Sequence, residues 1–177
     1  MNPFVDPAYP PATGAFTPRE ASAITDFIVH HSDGPQSQTP LEIDAFERNG
    51  GDIYMPYTWL IGPDGTIYTG RPALVESAAS YGRNEQSVAV CIIGAFQEGT
   101  PEYNGPPTDA ALDQLLELCV FAHRQFPSIE RTIAHRDIAP LFYPNDEGDY
   151  ATACCGSVLY AMLPDIRAKV AAELHPI

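Results

Sequence analysis

The stretch 87-SVAVCIIG-94 decides the fold class. It is a continuous apolar run, rich in β-branched residues and closed by glycine, as expected of a central strand covered on both faces. Upstream, 57-YTWLI-61 and 66-TIY-68 flank 62-GPDG-65, whose proline and glycine supply the dihedrals of a tight reversal, so a hairpin is expected. Further upstream, Phe27-Ile28-Val29 reads as a strand that runs into His30-His31-Ser32 before Asp33-Gly34-Pro35 forces a turn. Downstream, Thr108 can cap a helix in which Leu112, Leu115, Leu116, Cys119 and Ala122 recur at helical spacing until Pro127. Thr132-Ile133-Ala134 is a short strand, again ending at a histidine, His135.

The remaining helices follow from caps and periodicity. Thr39-Pro40-Leu41-Glu42 forms a capping box, after which Leu41, Ala45 and Phe46 share one face until Asn49-Gly50-Gly51 stops the helix. A last helix over 157–173 buries Leu159, Met162, Leu163, Ile166 and Val170. Thr17-Pro18-Arg19-Glu20 repeats the capping-box pattern and predicts a short helix, whereas MNPFVDPAYPPATGAF ahead of it reads as an extended surface arm, neither helix nor strand. Strands alternating with helices, plus one hairpin, predict an α/β single domain with a central mixed β-sheet flanked by helices. Two strand ends present histidines, and ligands gather at strand ends in such sheets.

Composition narrows the function classes. The net charge of −14, from 23 acids against 9 bases, repels phosphate backbones, so no nucleic-acid partner is expected. No run of roughly 18 apolar residues is available for membrane insertion. The first residues carry neither a basic nor an apolar signal region, so synthesis in the cytoplasm without a signal peptide is the expectation. Four cysteines are too few for a disulfide scaffold at this length; Cys91 and Cys119 fall in apolar segments and read as buried, inert thiols.

A hydrolytic zinc site needs three protein ligands and one open position. The candidates are His30, His135 and Cys154, the last in a Cys-Cys-Gly turn opening the final helix. Two imidazoles and one thiolate would leave a zinc site of net charge near +1, enough to acidify a bound water. The alternative left open by these residues is a thiol hydrolase with Cys154 as nucleophile, His135 as base and Asp137 as orienter.

The segments 28-IVHHSDG-34, 55-MPYTWLIGPDGTIYTGRP-72, 84-NEQSVAVCIIGAF-96, 132-TIAHRDIAP-140 and 153-ACCGSVLYAMLPDI-166 occur in an order that resembles the N-acetylmuramoyl-L-alanine amidase family. That family includes phage lysozyme-like amidases and peptidoglycan recognition proteins, and the resemblance spans roughly residues 24–168. It implies Zn²⁺ held by His30, His135 and Cys154, with Cys155 standing where the family usually has proline. It also implies that Tyr57 orients or relays a proton beside the metal-bound water and that Thr152 donates to the developing oxyanion. The implied reaction is hydrolysis of the amide between MurNAc and L-Ala in peptidoglycan, by a monomeric phage-type endolysin that reaches the cell wall after release. The alternatives within the resemblance are a non-catalytic peptidoglycan-binding module and a cytoplasmic muropeptide-recycling amidase. Residues 1–23 would then be an arm and 24–177 the catalytic domain.

Besides Cys155, the sequence departs from the family in three places. Thr58 stands where a histidine is common, Ala79 aligns with a histidine associated with substrate contact, and 141-LFYPNDEGDYA-151 is an apparent insertion. Asn145, Asp146, Glu147 and Asp149 in that insertion read as a solvated acidic loop, not a calcium site. Among the other polar residues, His31 and Asp137 read as structural or supporting groups, His123 and His175 as surface residues, and Trp59 and Phe96 as core or cleft-wall aromatics. Arg71 reads either as a saccharide or peptide contact or as an exposed structural arginine.

Overall fold

The computed structural model describes residues 1–145 and 147–175. Strand β5 (Ser87–Ile92) is buried along its whole length. Strand β2 (Asp26–His31) pairs parallel to it on one side and β3 (Trp59–Ile61) parallel on the other. Strand β4 (Ile67–Thr69) closes the expected hairpin antiparallel to β3, with Gly65 at φ +80° in the turn between them. Strand β6 (Arg131–Ala134) lies parallel to β2, so the sheet is mixed.

One expectation fails at the opposite edge. Phe4–Val5 of the arm form a short strand, β1, parallel to β4, giving the order β1-β4-β3-β5-β2-β6. Phe4 is recruited by aromatic contact with Trp59 and Phe121, a tertiary gain that the proline-rich local sequence does not announce.

The period-2 alternation of β5 sorts the core into two layers. Val88, Val90 and Ile92 face α2 (Asp109–Gln125) and α5 (Ser157–Leu174), meeting Leu115, Leu118, Cys119, Leu159 and Leu163. Ala89 and Cys91 face the other way, towards α1 (Pro40–Asn49), with Ile43, Met55, Tyr57 and Leu60. Thr108 caps α2 as expected, accepting from the Ala111 N–H at 3.1 Å, while Met162 is only half-buried on α5.

Helix α1 begins at the expected capping box, in which Thr39 and Glu42 satisfy each other's backbone N–H. Its orientation is the reverse of the sequence reading. Leu41 and Phe46 are exposed, at 46% and 71%, while Ile43 and Asp44 are buried. Asp44 is tolerated inside because Arg48 Nε donates to it at 2.7 Å, and Arg48 also donates to the carbonyls of Pro10, Pro11 and Ile53. The Thr17–Glu20 segment does not start an α-helix either. Pro18 bridges Val75, and the Arg19 guanidinium donates to the carbonyls of Ala73, Asn84, Glu85 and Ser87, which holds this stretch extended; only a 3-10 turn, Ala21–Ala23, follows.

The 141–151 stretch is partly helical. Helix α3 (Ile138–Phe142) precedes it and the short α4 (Glu147–Tyr150) returns the chain towards Cys154. Asn145 is exposed. Asp146 lies outside the described residues, as do the side chains of Glu147 and Asp149.

Candidate metal centre

Parallel pairing brings the two histidines together. The β2–β6 register matches Val29 with Ala134, so His30, still within β2, and His135, the first residue past β6, lie side by side, with ring centroids 4.6 Å apart. Cys154 reaches the same point from the turn before α5. Its carbonyl accepts from the Arg136 N–H at 2.8 Å and its own N–H donates to Thr152 Oγ1 at 3.2 Å. Gly156, at φ +80°, makes this turn possible: a Cβ there would lie 2.4 Å from the Phe96 carbonyl carbon, against which α5 starts.

The donor atoms of His30, His135 and Cys154 all lie within 4.8 Å of one another, and His30 Nδ1 is 3.6 Å from Cys154 Sγ. Donors on a tetrahedral zinc ion at about 2.0–2.3 Å would sit roughly 3.3–3.8 Å apart, so small side-chain movements bring this set to coordination distance. The other ring nitrogen of His30 is already engaged: Nε2 is 3.1 Å from Ser80 Oγ, both groups fully buried. A proton on Nε2 donated to Ser80 leaves the Nδ1 lone pair facing Cys154, the tautomer a metal requires. Ser80 is itself fixed by its N–H donating to Asn84 Oδ1 at 2.8 Å.

Electrostatics favour neutral donors. Burial, reinforced by His135 and His31, holds the His30 imidazolium well below its ordinary range, and burial brings His135 down to about 4. Burial pushes the Cys154 thiol up, and a cation held beside it would favour the thiolate. Two neutral imidazoles and one thiol that can ionise on demand fit a divalent, nitrogen- and sulfur-seeking metal. Cys155 points into the core, fully buried, its thiol pushed up to about 12.

These groups floor a cleft of about 360 Å³ whose lining also includes Tyr57, Ala79, Gln97 and Thr152. Tyr57 meets the His30 ring edge-on at 5.3 Å, and its hydroxyl donates to Glu47 Oε1 at 3.4 Å. Burial, with Asp52 nearby, raises the Glu47 carboxyl, and burial raises the Tyr57 phenol. The sequence reading missed Ser80 and Glu47; the first sits in an irregular loop and the second on the α1 face that buries Ile43 and Asp44, away from the Leu41, Ala45 and Phe46 stripe.

The other polar residues have structural partners. His31 turns away from His30, as neighbours on a strand do, and its Nδ1 accepts from the Phe96 N–H at 3.1 Å. Asp137 accepts from the Ala134 N–H, the Tyr160 hydroxyl and Arg167, bracing the turn that carries His135. Arg71 is neither exposed nor a cleft contact: it is buried and donates to the carbonyls of Met55, Tyr54 and Glu76. His123 is half-buried instead of at the surface, with Nε2 at 3.0 Å from Thr132 Oγ1, whereas His175 is exposed. Trp59 and Phe96 belong to the core.

Comparison with known proteins agrees with this picture. A family profile described as N-acetylmuramoyl-L-alanine amidase matches residues 20–154. The endolysin of Enterobacteria phage T3 is 31% identical over 134 residues, covering 73% of this chain and 85% of the phage protein. That of Klebsiella phage KP32 is 31% identical over 105 residues, covering 59% and 68%. Among solved structures, the endolysine N-acetylmuramoyl-L-alanine amidase LysCS from Clostridium intestinale matches at a TM-score of 0.77 and 23% identity over 97% of each chain. The Drosophila peptidoglycan recognition protein SD matches at 0.73 and 24% identity, over 92% of this chain and 94% of that one.

Proposed function

The chain belongs to the N-acetylmuramoyl-L-alanine amidase family, and from that premise we propose that it is a zinc-dependent, phage-type endolysin that hydrolyses the amide between MurNAc and L-Ala of peptidoglycan. The observation that carries the proposal is the convergence of His30, His135 and Cys154 at the floor of one cleft. These three residues would hold Zn²⁺, with Ser80 keeping the His30 ring in its binding tautomer. When bound, the ion supplies Lewis acidity to the scissile carbonyl and lowers the pKa of a water towards neutrality.

The chain's own residues do the rest. Tyr57, buried beside His30, positions and relays a proton through its hydroxyl, with Glu47 as its acceptor. Thr152 anchors Cys154 through its hydroxyl oxygen and keeps the hydroxyl hydrogen for the oxyanion that develops on the carbonyl. A Cys154–His135–Asp137 thiol mechanism is disfavoured because Asp137 is engaged by Ala134, Tyr160 and Arg167, and because it would leave His30, whose donor atom lies beside Cys154 and His135, without a role. The substrate is peptidoglycan, met at the wall after release from the cytoplasm, and the protein acts as a monomer.

Digestion of purified peptidoglycan tests the assignment. The expected products are new L-alanine amino termini, with no new sugar reducing ends, in a reaction stopped by a strong chelator and restored by Zn²⁺. New reducing ends, or activity that survives chelation and dies on thiol alkylation, would overturn it.

A further inference from the structure

Beside the cleft stands a ladder of three tyrosines that the metal centre and the reaction leave unused. Tyr143 and Tyr150 stack with centroids 3.7 Å apart and planes 5° from parallel, and Tyr81 lies against Tyr150 at 5.3 Å and 20°. The inner two are half-buried against Ile28, Ile133 and Ile138, and the Tyr143 hydroxyl donates to the Gly82 carbonyl at 2.8 Å. Gly82, at φ +81°, cradles them. A Cβ there would fall 2.7 Å from Tyr150 Cε1 and 2.8 Å from the Tyr143 hydroxyl, so both rings can lie against the turn only because it is glycine. Tyr81, by contrast, is 67% exposed.

Single exposed aromatics are ordinary, but this one is braced in advance, so little freedom is lost when a ligand covers it. Its position is also informative. Tyr81 follows Ala79 by two residues and Tyr150 precedes Thr152 by two, and both Ala79 and Thr152 line the cleft. Two residues of chain span at most about 7 Å, so the backbones of Tyr81 and Tyr150 lie within that reach of the cleft lining, just outside the residues that form it.

We propose that Tyr81, backed by Tyr150 and Tyr143, is a sugar subsite that stacks on the C–H face of an N-acetylhexosamine next to the muramoyl unit being cut. A pyranose ring presents a weakly positive apolar face to the negative face of an aromatic ring. The contact is uncharged, and that suits a neutral glycan: the net charge of −14 gives the chain no bulk attraction for an anionic stem peptide. The subsite rests on the amidase reading for its role in turnover, but not for its binding of sugar.

The test compares the full-length, zinc-loaded protein with Tyr81→Ala and Tyr81→Phe, using two readouts. The first is calorimetric or NMR binding of the β-1,4-linked N-acetylglucosamine tetramer. The second is kcat and KM on a muropeptide carrying neighbouring sugars and on a single-sugar muramoyl peptide. Tyr81→Ala should abolish tetramer binding and raise KM roughly five- to tenfold on the longer substrate alone, with kcat unchanged. Tyr81→Phe, which keeps the ring face, should behave as wild type. Tetramer binding and KM that ignore Tyr81→Ala, or equal losses on both substrates, would overturn the subsite. Tyr81-dependent tetramer binding without any amidase activity would instead remove the amidase reading and leave the subsite standing.

Discussion

Replacing Ser80 with alanine deletes one oxygen atom at a fully buried position, and its effect can be estimated from two directions. Ser80 Oγ is the partner of His30 Nε2 at 3.1 Å, and His30 is 1% exposed, so no solvent can take its place. A buried N–H left without an acceptor costs about 1–3 kcal/mol. The imidazole can escape part of that cost by moving its proton to Nδ1, but that nitrogen faces Cys154 Sγ at 3.6 Å and would then present hydrogen where a metal needs a lone pair. Partners that orient metal-bound histidines are worth roughly 10- to 100-fold in metal affinity, equivalent to about 1.4–2.7 kcal/mol, so the unpaired N–H lowers the stability of the fold while the wrong tautomer lowers the affinity for metal. The assay is a competition titration of Zn²⁺ against a chromophoric chelator, with melting of the metal-free protein recorded alongside to separate affinity from stability. A Kd for Ser80→Ala within about twofold of wild type would refute the orienting role.

Three further perturbations probe other parts of the molecule. Tyr57→Phe removes only a hydroxyl and keeps the ring packed on His30, so kcat should fall roughly tenfold or more with zinc content unchanged, and an unaltered kcat would exclude the proton role. Asp26, fully buried, accepts from Arg83 Nε at 3.0 Å and Arg131 Nε at 2.5 Å; Asp26→Asn should cost about 3–5 kcal/mol and lower Tm by on the order of 10 °C in calorimetry. A Tm within about 2 °C of wild type would show that this pair is solvated in solution. His135 titrates near 4 in the fold and near 6.5 when unfolded, so the folded state favours the neutral ring. Its stabilisation is therefore complete above pH 6.5 and is lost as pH falls towards 4, by at most about 3.5 kcal/mol at about 1.4 kcal/mol per pH unit. Urea denaturation of the metal-free protein between pH 7 and 4 should show that loss, and His135→Asn should flatten it; identical pH profiles would contradict the burial of this ring.

Local patterns carried the architecture where local chemistry decides it. The 87–94 run, the Gly62–Gly65 reversal and the Thr39 capping box all became the expected elements, because each is fixed by residues within a few positions of one another. The meeting of His30 and His135 also follows once their strands pair in parallel. Features set by distant partners were not legible. Helix α1 buries Asp44 in place of Phe46 because Arg48 neutralises the carboxylate and ties the arm to the helix, information spread over residues 10–53. The Thr17–Glu20 box lost to the four carbonyls that Arg19 gathers, and β1 formed because Phe4 found Trp59 and Phe121. Ser80 has no motif around it; only the folded loop puts its hydroxyl on His30.

Metal content of the purified protein probes the proposed centre most directly, measured by elemental analysis on the wild type, Cys154→Ser and Cys155→Ser. One zinc per chain is expected in the wild type and in Cys155→Ser, whose side chain faces the core, and none in Cys154→Ser, whose sulfur faces His30. A zinc-free wild type, or zinc that stays in Cys154→Ser and leaves with Cys155→Ser, would contradict the His30–His135–Cys154 site.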